Sequence, residues 1–164
     1  MARRGSDEYY VVDLCDEVLG RRGLRQHRFD FLLGDPSPKT GRQVKLSVDV
    51  YYPELRLAIE YHERRTIEKH PLSGHRKTVA HDQQRCRYQR RRQELLPQHG
   101  IKLLEISYSD LPHDSRKRLR RTDADQRIIH QFLAGYVFTS GMRSHNHHLL
   151  RSTRRGRGFA RSAG

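Results

Sequence analysis

VDVYYPELRLAIEYH, residues 48–62, is the stretch that decides the fold. Pro53-Glu54 reads as a tight turn between two arms. On the first arm Val44, Leu46, Val48 and Val50 alternate with Lys45, Ser47, Asp49 and Tyr51. On the second, Leu55, Leu57, Ile59 and Tyr61 alternate with Arg56, Ala58, Glu60 and His62. Period two is the pattern of half-buried strands, so the stretch predicts a β-hairpin. With Pro53 and Glu54 as the two turn residues, Asp49 lies opposite Ala58 and Glu60 is its diagonal neighbour on the same face. Diagonal neighbours stand roughly 7–8 Å apart, close enough for two carboxylates to converge on one ion. A slip of one residue would throw them onto opposite faces. Two acids and an imidazole gathered on one exposed face imply a divalent-metal site. The competing arrangement is a surface hairpin whose acids are paired with Arg56 or Lys45.

Outward from the hairpin, Ser6 is a natural N-cap for a helix with Asp7 and Glu8 in its first turn, apolar Val11, Leu14, Cys15 and Val18, and an end at Gly20. FDFLL (29–33) reads as a first strand, and DPSPKTG (35–41) as a turn. Residues 62–78 are expected to be irregular, followed by a basic helix over 79–98. IKLLEIS (101–107) is nearly continuous apolar sequence and predicts a central strand. Thr122 caps a last helix in which Ile128, Ile129, Phe132, Leu133, Tyr136 and Val137 recur at helical spacing. The order is α-β-β-β-α-β-α, an α/β sandwich around a short mixed sheet. Residues 1–142 form one domain and 143–164 a flexible, Arg-rich tail.

The charge says what such a site would meet. Lys and Arg number 33 against 19 Asp and Glu, a net charge of +14 on 164 residues. That excess points to a polyanion as partner. No apolar run reaches the length of a membrane span and no signal-peptide pattern opens the sequence, so nucleic acid is favoured over membrane. Cys15 and Cys86 alone make no disulfide framework, and a reducing cytoplasm is the expected setting. The densest basic run is Arg85, Arg87, Arg90, Arg91 and Arg92. With Arg116, Lys117 and Arg118, and Lys45 on the hairpin, it is the candidate phosphate-binding surface. His70, His75, His81 and Cys86 could nearly build a structural zinc site, with His75 and His81 one residue looser than the usual pair, so zinc stays open as the lesser alternative.

The element order, with acids on strands two and three, resembles the PD-(D/E)xK, or restriction-endonuclease-like, nucleases. Their pattern is an Asp, a spacer, then Glu-x-Lys. Asp49 and Glu60 match the acids, and His62 stands where the Lys falls. QELLPQHGIKLLEISYSDL (93–111) is similar to the second half of that core, and the nearest branch is that of the very short patch repair endonucleases. The resemblance spans residues 6–111 and implies a restriction-endonuclease-like core, α-β-β-β-α-β, with a C-terminal helix and a basic tail. It also implies a metal-dependent DNA endonuclease.

The roles follow from phosphodiester hydrolysis. Asp49, Glu60 and the Tyr61 carbonyl would offer hard oxygen donors to Mg²⁺, with Mn²⁺ as the alternative. His62 would hold or deprotonate the attacking water, or ligate the metal and favour Mn²⁺. A further acid from the first helix commonly joins such sites. Glu8 lies near the apolar stripe and Asp13 and Glu17 opposite it, so the sequence does not choose among them. Double-stranded DNA is the expected partner, with RNA and a second copy of the chain as further candidates. The other readings are an inactive nucleic-acid-binding protein with this fold and a basic RNA-associated protein.

Overall fold

A computed structural model of the chain describes residues 5–63, 76–116 and 118–141. Helix α1 (Asp7–Leu19) is followed by strands β1 (Leu24–Leu33), β2 (Lys45–Tyr52) and β3 (Leu57–His62). Helix α2 (Arg76–Gln98), strand β4 (Lys102–Ser107) and helix α3 (Asp123–Gly141) complete the order. The sheet runs β1-β2-β3-β4, with β1–β2 and β2–β3 antiparallel and β3–β4 parallel. Among the described residues the architecture is therefore mixed α/β, with a four-stranded mixed sheet and three α-helices. Residues 64–75, Lys117 and the expected tail at 143–164 lie outside the described residues, and with them His70 and His75. No helix among the described residues is long and apolar enough to cross a membrane.

The ends of α1 follow from its sequence. Ser6 Oγ accepts the Tyr9 N–H at 3.2 Å, and Gly20 closes the helix at φ 63°, where a side chain would be strained. The next turn needs a second glycine for space, since a Cβ on Gly23 would run into Val50 and Tyr52. Strand β1 begins at Leu24 rather than at residue 29. Helix α2 begins at Arg76, earlier than the expected 79, and most of the stretch expected to be irregular lies outside the described residues.

Two apolar cores lie on either side of the sheet. Val11, Val12 and Cys15 of α1 and Ile129 and Leu133 of α3 pack on Val50, Tyr52, Leu57, Ile59 and Ile106. Leu96 of α2 packs with Ile101, Ala58, Phe29, Leu32, Leu46 and Val48. Strand β3 is buried on both faces except at His62, as a central strand between two layers should be.

The hairpin departs from the expected turn. Pro53–Leu55 forms a single 3-10 turn and Arg56, at φ 48°, completes a four-residue loop. The register is Tyr52↔Leu57, Tyr51↔Ala58, Val50↔Ile59. Continued one step, it sets Asp49 directly across from Glu60 rather than diagonal to it. The correction amounts to two residues, so the two acids still share a face.

Candidate functional site

Ladder pairing between β2 and β3 stops at Val50↔Ile59, and from there the acids supply the hydrogen bonds. Asp49 N–H donates to Glu60 Oε1 at 3.2 Å, and Tyr61 N–H donates to Asp49 Oδ2 at 2.8 Å. Each carboxylate thus satisfies a main-chain donor on or beside the facing acid. These bonds hold two acids side by side where the strands part. The opening is a cleft of about 320 Å³, lined by Glu8, Asp49, Glu60, Tyr61, His62 and Glu63 from one wall and Arg85, Tyr88, Gln89 and Arg92 of α2 from the other.

Glu8 is the first-helix acid that joins the site. Gln26 of β1, which continued register sets across from Asp49, links the two: its Nε2 donates to Glu8 Oε1 at 2.7 Å and to Asp49 Oδ1 at 3.3 Å. Its Oε1 accepts from Ser47 Oγ at 3.2 Å. Asp13 faces away and pairs with Arg25. Neither Arg56 nor Lys45 neutralises the site acids. Arg56 donates to the Gly100 and His99 carbonyls, and Lys45 pairs with Asp30. The cation beside Glu60 is instead Arg92, with Nε 3.3 Å from Oε1 while it also donates to the Ser47 carbonyl.

The electrostatics record the crowding. Burial, and then the Asp49 charge, push the Glu60 carboxyl up to about 8 against the pull of Arg92. Burial and Asp49 raise Glu8 to about 7, against its hydrogen bond from Gln26. Asp49 is raised by burial against the Tyr61 N–H, Arg92 and Gln26. Among the described residues the buried polar or charged side chains are Glu60 and Asp125. Asp125 is a helix-capping group, bonded to Thr122 and the Tyr10 hydroxyl. Glu60 instead faces the cleft, bonded to the Asp49 N–H and beside Arg92.

His62 is held from behind. Its Nε2 lies 3.0 Å from Glu105 Oε1, and Glu105 also accepts from Gln89 Nε2 at 3.1 Å and Gln93 Nε2 at 2.8 Å. Burial raises the Glu105 carboxyl, but hydrogen bonds from Gln93, His62 and Gln89 outweigh it and hold it below the ordinary carboxylate range. With Glu105 ionised, the neutral imidazole donates from Nε2, and the lone pair falls on Nδ1. Sequence reasoning missed Glu105, Gln26 and Gln89. The available signal was parity, because β4 pairs Glu105 with Glu60 in parallel register.

The basic residues divide. Arg85 and Arg92 line the cleft. Arg87 and Arg91 both reach Asp35, at 3.1 and 2.6 Å, and Arg91 also donates to the Leu33 carbonyl. Arg90, Arg116 and Arg118 are exposed and outside the cleft lining. The cleft acids offer oxygen donors of the kind Mg²⁺ and Mn²⁺ prefer, and their mutual repulsion suits a cation. In this arrangement Glu60 Oε1 is turned to Asp49 N–H and Arg92, and no group of three or more His, Cys, Asp or Glu among the described residues stands in metal-holding geometry. The donor set fits in chemistry, and Glu60 would have to turn. Comparison of the chain with known protein families, curated proteins and solved structures finds no match.

Proposed function

We propose that the cleft is the divalent-metal centre of a DNA endonuclease with a restriction-endonuclease-like core. One observation carries the reading. Glu8, Asp49 and Glu60 line one half-buried cleft, where the Asp49 charge raises both other carboxyls, facing a basic helix on a chain of charge +14. Crowded acids without matching cations are costly unless something else neutralises them. The α-β-β-β-α-β order, with acids on β2 and β3, is also the one that the resemblance implies.

Each residue then has a task. Asp49 and Glu60, with the Tyr61 carbonyl, would hold Mg²⁺ or Mn²⁺, and Glu8 would add charge beside Asp49. The bound cation would neutralise charge at the phosphate and make a water more acidic. His62 would accept a proton at Nδ1, and Glu105 would fix the ring and balance the charge it gains. Arg85 and Arg92 contact phosphate oxygens at the rim.

A second reading rests on Arg92. Its guanidinium already lies against Glu60, as it would in a nuclease-like protein that binds nucleic acid without cutting. One assay separates the two: supercoiled plasmid incubated with the purified chain in Mg²⁺, Mn²⁺ or EDTA. The endonuclease nicks or linearises it in either cation and leaves it intact in EDTA. Asp49→Asn and Glu60→Gln should stop the cutting and keep the binding. Cutting by both variants at the wild-type rate would sink the assignment, and metal-independent binding without cutting would favour the second reading.

A further inference from the structure

Three non-glycine residues among those described have positive φ: Gln26 at 50°, Arg56 at 48° and Arg121 at 54°. Arg56 ends the hairpin loop and Arg121 precedes the cap of α3, both outside regular strands. Gln26 alone lies inside a strand. Strand residues have negative φ, and a left-handed glutamine is a strained conformation that persists only where its surroundings hold it.

What holds it is its side chain. The carboxamide makes three bonds, to Glu8, Asp49 and Ser47. Ser47 in turn gives its carbonyl to Arg92, so the same short segment anchors both walls of the cleft. The chemistry of the choice is specific. A carboxamide brings two N–H donors and no charge. Lysine or arginine in its place would neutralise the acids and compete with an incoming cation, and a carboxylate would repel them.

We propose that Gln26 is a positioning residue that braces Glu8 and Asp49 side by side without neutralising them, so that their charge is left for a divalent cation. The proposal rests on the reading of the cleft as a metal centre. It assigns Gln26 no contact with the metal or with DNA.

The test is Mn²⁺ binding to the full chain, measured by calorimetry without DNA, beside thermal melts in EDTA. Gln26→Gly accepts the left-handed backbone and deletes only the side chain. It should melt within a few degrees of wild type while its Kd for Mn²⁺ rises about 10–100-fold, the usual effect of removing a group that orients metal ligands. Gln26→Met keeps the length and the strain but not the donors, and should lose affinity equally. Added to Glu8→Gln, Gln26→Met should cost much less than it does in the wild type, because its partner is already changed. Unchanged Mn²⁺ affinity in folded Gln26→Gly overturns the proposal and leaves the metal reading standing. So does a loss of the same size in the wild-type and Glu8→Gln backgrounds. A wild-type chain that binds no Mn²⁺ overturns both.

Discussion

Helix α1 carries acids to two places, and the fold treats them oppositely. On one side Asp16 is fully answered. Its Oδ1 accepts from the Tyr52 hydroxyl at 2.7 Å and from Gly23 N–H at 2.9 Å, and its Oδ2 meets Arg25 at 2.6 Å. Arg25 also takes Asp13 at 2.7 Å and lies over the Tyr9 ring. On the other side Glu8 meets a second and a third acid. The groups that hold them are mostly uncharged, namely the Gln26 carboxamide and two main-chain N–H groups, with Arg92 the cation paired with Glu60. Acids matched by cations and hydroxyls are architecture. Acids held in place mostly by neutral donors are what the proposed metal centre would need.

Substitutions that exchange the two behaviours test this contrast hardest. Asp49→Asn should lower plasmid cleavage by at least about 10²–10³-fold, as loss of a group that stabilises transition-state charge does. The protein should still melt cooperatively. Asp16→Ala should do the reverse: it strips one of two carboxylates from Arg25 and the acceptor from a hydroxyl on a side chain that is 1% exposed. The expected cost is about 3 kcal/mol of unfolding free energy, with cleavage by the folded protein little changed. If Asp16→Ala melts like wild type, or Asp49→Asn unfolds it, the division between the two clusters is lost.

Much of this was legible in the sequence, for identifiable reasons. Alternation gave the hairpin, and the two-residue register error left the two acids on one face because side chains repeat every two residues. The single apolar face expected on the first arm is instead divided, with Leu46 and Val48 in one core, Val50 in the other and Val44 exposed. The error itself came from Arg56, a residue with no left-handed preference, held by the His99 and Gly100 carbonyls far along the chain. Glu105 was hidden in IKLLEIS, where one acid in an apolar run looks incidental. Its role depends on His62, Gln89 and Gln93, which only the fold brings to it. The start of β1 at Leu24 was illegible because Arg25 and Gln26 serve the two acid clusters and break the apolar pattern. Which acid of α1 enters the cleft is decided by how the helix docks, which helical angle alone does not fix.

The burial and crowding of these acids also predict a pH dependence. Glu60 ordinarily titrates near 4.5 and is raised to about 8 in the fold. Between those values the folded chain keeps a proton that the unfolded chain has lost, so stability falls as pH rises from about 4.5 to about 8. Glu8 adds a slope of the same sign up to about 7. Glu60→Gln ionises in neither state, so it should be more stable than wild type above pH 5. The gap should widen to the order of 2 kcal/mol at pH 8. Denaturant melts in EDTA at pH 5, 6, 7 and 8 would measure it. Mn²⁺ should reverse the wild-type trend, because a cation binds the ionised acids. A slope that persists undiminished in Glu60→Gln would mean that other groups carry it.

Helix α2 repeats the contrast on a smaller scale, with arginines. Arg91 is engaged: it pairs with Asp35, donates to the Leu33 carbonyl and lies over the Tyr88 ring, pinning the β1–β2 connection to the helix. Arg90 beside it is exposed and has no ion pair among the described residues. By the rule that α1 teaches, the engaged group belongs to the fold and the unengaged one to a partner. Arg91→Ala should therefore cost about 1 kcal/mol of stability, since its ion pair is half-exposed and screened. Arg90→Ala should leave stability within about 0.5 kcal/mol of wild type. On DNA, measured by anisotropy across a salt series, Arg90→Ala should lower the slope of log K against log salt by about one, the signature of one lost phosphate contact. The slope for Arg91→Ala should stay nearer that of wild type, because a guanidinium already held by Asp35 releases no counterion when DNA binds. Equal slopes in Arg90→Ala and wild type would remove Arg90 from the DNA-binding surface and confine phosphate contact to the cleft rim, where Arg85 stands and where Arg92 would leave Glu60 as that acid turns to a cation.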